Sequence, residues 1–161
     1  MPESIEAVRK RVREAVILFE HKEGSRQVDI KEIPTLVRSL GINPTVSQTN
    51  LVLDQIASMS TSDSTLIPLE NIEIIVANFL VQQEAALFRD DYHILIRAFR
   101  AFDSEGKGYI HAEQIRAALQ SKGEPLTDDE LNRMVGFAAD ENGRIYYEDY
   151  SQKLTDDGRS M

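Results

Sequence analysis

Apolar residues at three- and four-residue steps gather into one stripe on a helix, and in this chain such stripes flank short polar loops in two successive pairs. The first stripe is Ile5, Val8, Val12, Ala15, Val16 and Phe19, interrupted by polar residues over 20–27. Val28 and the cap pair Asp29 and Glu32 open a second helix, which Gly41 stops just past Leu40. Pro34 falls just past the first turn of that helix, where its missing N–H is expected to cost a hydrogen bond. After the turn Asn43-Pro44-Thr45, a capping box of Thr45 and Gln48 opens a helix bearing Val52, Leu53 and Ile56. The polar loop SMSTSDST then leads through Leu66 and Ile67 into an apolar helix with Ile72, Ile75, Val76, Phe79 and Leu80.

The same plan follows a polar stretch. Leu95, Ala98, Phe99 and Phe102 form a stripe, the loop DSEGKGYI intervenes, and Ile115, Ala118 and Leu119 continue as the exit helix. Gly123 and Pro125 break it, and Thr127 with Glu130 caps the next helix, through Leu131, Met134 and Val135. A loop around Asp140, Asn142 and Gly143 precedes a last helix near Tyr150. The repeat predicts an all-α chain of two lobes, each a pair of helix-loop-helix units. Its expected divisions are 1–81 and 93–154 for the lobes, 82–92 for a helical connector, and 155–161 for a frayed tail.

Composition narrows the function. The chain has 161 residues, 42% of them hydrophobic, enough for a core without staples. With no cysteine there is no disulfide framework and no thiolate site, which agrees with a reducing, cytoplasmic setting. No apolar run reaches the roughly 20 residues of a membrane span, and the N-terminal segment lacks a signal peptide's apolar stretch. A formal net charge of -9 opposes nucleic acid and anionic lipid and favours a basic partner surface. Arg9, Lys10, Arg11 and Arg13 lie on the polar side of the first helix and read as an exposed face rather than an import signal. His21, His93 and His111 have no paired spacing for zinc. Gly106-Lys107-Gly108 lacks the full phosphate-loop pattern. No nucleophile with a base, cofactor loop or metal triad occurs, so an enzyme is not expected.

The loops can be read against the calcium cage of the EF-hand: twelve positions, oxygens at the first, third, fifth, seventh and ninth, glycine at the sixth for the turn, and a bidentate glutamate at the twelfth. The third loop has that length, with Asp103, Glu105 and Lys107 at the first, third and fifth positions, Gly108 at the sixth, Tyr109 at the seventh, Ile110 at the eighth and Gln114 at the twelfth. Lys107 brings an ammonium with no acceptor, and Gln114 one neutral oxygen where a carboxylate has two. At most weak calcium or magnesium binding is expected there, and no other cofactor.

RSLGINPT at 38–45 and FDSEGKGYIHAEQIR at 102–116 resemble the corresponding segments of calmodulin, and the likeness spans nearly the whole chain. Helix frames set by that resemblance start the first loop at Glu20, with Val28 one residue late, Arg26 near the glycine turn, and Glu23, Asp29 and Glu32 as its other acids. The second loop, from Ala57 to Ile67, is about three residues too long and closes on Asn71. In the fourth, Ala139 takes the opening frame, Ile145 arrives one residue early, and Asp149 closes. A nearer resemblance, carried by VDIKEIPTLVRSLGINPT, IRAFRAFDSEGKGYI, KGEPLTDDELNRM and IYYEDY, is to the EF-hand subunit family of the nexin-dynein regulatory complex, its eighth subunit. That resemblance implies a non-catalytic structural or regulatory part of the linker between axonemal microtubule doublets, in a cilium or flagellum.

Calmodulin-type lobes grip amphipathic helices in an apolar groove, for which Phe19, Met59, Phe79, Phe99, Met134 and Tyr150 are the candidate lining residues. Aromatics on helix stripes also serve as core, and with only 4 methionines, two of them terminal, a dedicated partner is expected rather than many. The expected role is a light-chain-like adaptor that clasps a basic, amphipathic helix of the IQ type in a larger subunit, largely without calcium. The alternatives are a calcium sensor working through the third loop and a myosin-light-chain-like subunit.

Overall fold

The computed structural model describes residues 3–83 and 89–156, which fall into two compact units, one within 1–89 and one within 90–161. Of the connector expected over 82–92, residues 84–88 lie outside the described residues, and so do 157–161 of the tail. Gln82 and Gln83 still belong to a helix, and Tyr92 begins the next.

In the first unit α1 (Ile5–Leu18) starts on Ser4, whose hydroxyl accepts from Ala7 N at 3.2 Å. Its stripe of Val8, Val12, Ala15 and Val16 is buried, while Ile17 and Leu18 stay exposed. Strand β1 (Gln27–Asp29) follows the first loop and pairs antiparallel with β2 (Leu66–Pro68), placing Val28 opposite Ile67. Both side chains point inward and are almost wholly buried, as the period-2 alternation of a strand requires for its core-facing residue. Asp29 accepts from Lys31 N at 3.0 Å and opens a 3-10 turn, Ile30–Glu32, before α2 (Ile33–Ser39) begins. Because the helix proper starts at Ile33, Pro34 sits inside its first turn, where no N–H is needed. The cost expected for Pro34 is therefore absent. Helices α3 (Val46–Met59) and α4 (Leu69–Gln83) complete the unit around a core centred on Ile33, Leu36, Ile56 and Ile72.

The second unit repeats the plan. Asp91 caps α5 (Tyr92–Arg100) by accepting from Ile94 N at 2.9 Å. Strand β3 (Tyr109–His111) pairs with β4 (Arg144–Tyr146), with Ile110 opposite Ile145. Helices α6 (Ala112–Ser121), α7 (Asp128–Ala138) and α8 (Tyr147–Thr155) enclose Ile96, Phe99, Ile110, Ile115, Ile145, Tyr147 and Tyr150. Reciprocal bonds, Glu130 N to Thr127 Oγ1 and Thr127 N to Glu130 Oε2, complete the box at the start of α7.

Candidate functional site

Each loop ends on one short strand, so the strand pair fixes where the loop's oxygens point. In the third loop Asp103 stands two residues beyond the C-cap of α5, and its carboxylate takes three donors. Lys107 N reaches Oδ1 at 2.9 Å, and Gly108 N reaches Oδ2 at 2.8 Å. The third donor comes from the other helix-loop-helix: the hydroxyl of Tyr147, the first residue of α8, at 2.7 Å from Oδ2. These bonds hold the Asp103 carboxyl below its ordinary pKa, the Tyr147 hydroxyl being the largest cause, and the same bond raises the Tyr147 phenol.

The remaining sequence-predicted positions are engaged as well. Lys107 Nζ pairs with Glu105 at 2.6 Å, which raises the lysine's pKa. Gln114 Oε1 accepts from His111 N at 3.0 Å, closing the first turn of α6. Tyr109 packs across the strand pair against Tyr146, ring centroids 5.5 Å apart, with the Arg144 guanidinium 4.8 Å from its centroid. All five side chains, with Phe102, Ser104 and His111, line one cavity of about 210 Å³. A calcium ion wants six to eight oxygens, several of them charged. Lys107 supplies an ammonium, and Gln114 a single amide oxygen already bonded to backbone; this donor set does not fit the ion. Among the described residues no cluster of three or more histidines or acidic residues has a metal-holding arrangement.

The other loops are closed by their own side chains. Glu20 accepts from Gly24 N at 2.8 Å and Arg26 N at 3.0 Å. Arg26 has a positive φ of 54, uncommon for a residue with a side chain, and its guanidinium pairs with Glu70. In the second loop Ser60 Oγ donates to Ser62 O and Ser64 Oγ accepts from Leu66 N, so hydroxyls form turns where a cage would have acids. The fourth loop has become a tight hairpin. Ala139 pairs with Ile145, Gly143 N bonds Asp140 O at 3.0 Å, and Asp140 Oδ1 accepts from both Asn142 N and Arg144 N at 2.9 Å. Gly143 turns the chain at φ 72, a conformation glycine adopts without strain. The early arrival of Ile145 is this hairpin.

The candidate groove residues are placed unevenly. Phe79 is buried in the first core and Phe19 packs against it half-buried, whereas Met59, the last residue of α3, is 43% exposed and is not part of that cluster. Phe99, Tyr150 and Met134 do belong to one core: the two rings lie 5.9 Å apart and Met134 packs, partly buried, against the cluster that holds them. Tyr147 is the residue that sequence reasoning missed. It lies two positions after Ile145 and so shares its inward side, but only the pairing of the two loops reveals its partner.

Over 158 residues, 97% of this chain and 95% of the other, the sequence is 58% identical to dynein regulatory complex protein 8 of Chlamydomonas reinhardtii. The chain belongs to that family. The dynein regulatory complex protein 8 of Mus musculus is 30% identical over 148 residues, 91% of this chain and 87% of that protein. Within the family fold, residues 95–155 match the EF-hand domain pair, a span from within α5 to the end of α8 that includes both strands of the second sheet. Two solved structures share the architecture: Mlc1p bound to IQ2 of Myo2p, a class V myosin, has a TM-score of 0.64 at 23% identity, covering 86% of this chain and 93% of that one. The Physarum polycephalum myosin II regulatory domain has a TM-score of 0.59 at 24% identity, covering 99% of both. At such identities they speak for the fold alone, and that fold is the all-α, calmodulin-like arrangement of paired EF-hands expected from the repeat.

Proposed function

We propose that this chain is a non-catalytic, light-chain-like subunit of the dynein regulatory complex, resident in the axoneme of a cilium or flagellum and part of the assembly on microtubule doublets. The observation that carries this reading is the 58% identity to dynein regulatory complex protein 8 along 97% of the chain. Its partner is a basic, amphipathic helix of a larger subunit, of the IQ type; the net charge of -9 and the light-chain-like fold support that choice. The grip is largely independent of calcium, because the loops' acids and amides are already bonded to their own backbone and neighbours. Cross-linking of intact axonemes followed by mass spectrometry tests the reading directly. Cross-links to a basic helix of another complex subunit are expected, and equal capture of that helix with calcium and with a chelator. Absence of such links, or capture only with calcium, refutes it.

A second reading, a calcium sensor acting through the third loop, is favoured by one observation: Gly106 and Gly108 keep the left-handed turn of a full-length loop. It predicts calcium binding in the micromolar range of sensor EF-hands, abolished by Asp103→Ala in calorimetry. No heat with either chain excludes it.

A further inference from the structure

We propose that Tyr147 is an internal occupant of the third loop, a residue of the neighbouring helix-loop-helix whose hydroxyl competes with any divalent cation for Asp103. The mismatch between this loop and calcium then has a cause outside the loop's own residues, beyond Lys107 and Gln114.

The geometry is specific. A carboxylate offers about four lone-pair sites, and three donors already stand on Asp103. Two are backbone N–H groups of the same loop, fixed by its glycine turn. Tyr147 alone of the three arrives from another element, and its hydroxyl shares Oδ2 with Gly108 N. Its aim is set by packing: the ring is buried, 4% exposed, and stacks on Phe99 at 6.0 Å with 16° between planes. A cation that takes Oδ2 must displace this hydroxyl, and a buried phenol left without its partner is penalised. Because Tyr147 is also the first residue of α8, the same displacement transmits the loop's state to the start of that helix.

The test uses the full chain. Lys107→Asp with Gln114→Glu supplies the missing acids, and calcium is titrated by calorimetry into this double variant with and without Tyr147→Phe. The phenylalanine keeps the buried ring and removes only the hydroxyl, so about tenfold tighter binding is expected. Tyr146→Phe, which removes a neighbouring hydroxyl that does not touch Asp103, is expected to change nothing. Unchanged or weaker binding with Tyr147→Phe, an equal gain from Tyr146→Phe, or no binding in any of these chains overturns the proposal. Should Tyr147→Phe fail to fold, nuclear magnetic resonance of the double variant decides: calcium should shift the Tyr147 ring signals with the same midpoint as the loop amides, and an unmoved Tyr147 ring overturns it.

Discussion

Ser151 lies wholly buried on α8, and its hydroxyl has no hydrogen-bond partner among the described residues. An unsatisfied buried hydroxyl costs free energy that alanine does not, so Ser151→Ala is expected to stabilise the protein by about 1 kcal/mol, read from urea unfolding; a loss of stability contradicts that account. Asp103 makes a second residue-scale prediction. Its folded pKa is depressed, first by the Tyr147 hydroxyl and then by the N–H groups of Lys107 and Gly108. A depressed carboxyl stabilises above its unfolded value of about 4 and loses that contribution as pH falls through the folded one. Between neutral pH and pH of about 3, the wild type should therefore lose more stability than Asp103→Asn in parallel urea titrations; equal losses would show that the carboxylate is not stabilising. At this scale the sequence was legible where a residue acts within its own loop. The spacing of Asp103, Glu105, Lys107, Tyr109 and Gln114 puts them on one twelve-position stretch, and the structure has all five lining one cavity. Tyr147 was not legible, since its role depends on a bond between residues 44 apart in sequence.

Element boundaries followed local chemistry closely. Thr45 with Gln48 and Thr127 with Glu130 form the reciprocal boxes that their spacing announces, and the helices begin there. Replacing either threonine by alanine is expected to cost about 1 kcal/mol, while Thr127→Ser, which keeps the capping hydroxyl, loses little of that stability; calorimetric melting compares them. Pro34 shows the opposite case. Three residues of 3-10 turn at Ile30–Glu32 place the helix start at Ile33, and a proline that would have broken a turn instead sits in one that needs no N–H. The fourth loop was legible as too short but not as a hairpin, because the pairing of Ala139 with Ile145 depends on Gly143 turning at positive φ. Since that hairpin bonds Asp140 to the backbone of Asn142, Gly143 and Arg144, adding acids at Asn142 or Arg144 without lengthening the loop should give no calcium heat in calorimetry.

On the scale of the molecule, the two units have cores with no residue in common. Truncating a wholly buried side chain of one unit, Ile56→Ala in the first or Leu131→Ala in the second, should cost about 2–5 kcal/mol. Hydrogen exchange should place that loss in the amides of the mutated unit. The aromatic packing described for the second unit has an optical corollary. All 5 tyrosines, at 92, 109, 146, 147 and 150, fall in that unit, and the chain has no tryptophan. Tyrosine emission therefore watches one half of the protein while the other stays dark, and a tryptophan placed anywhere in residues 3–83 would give each half a separate colour.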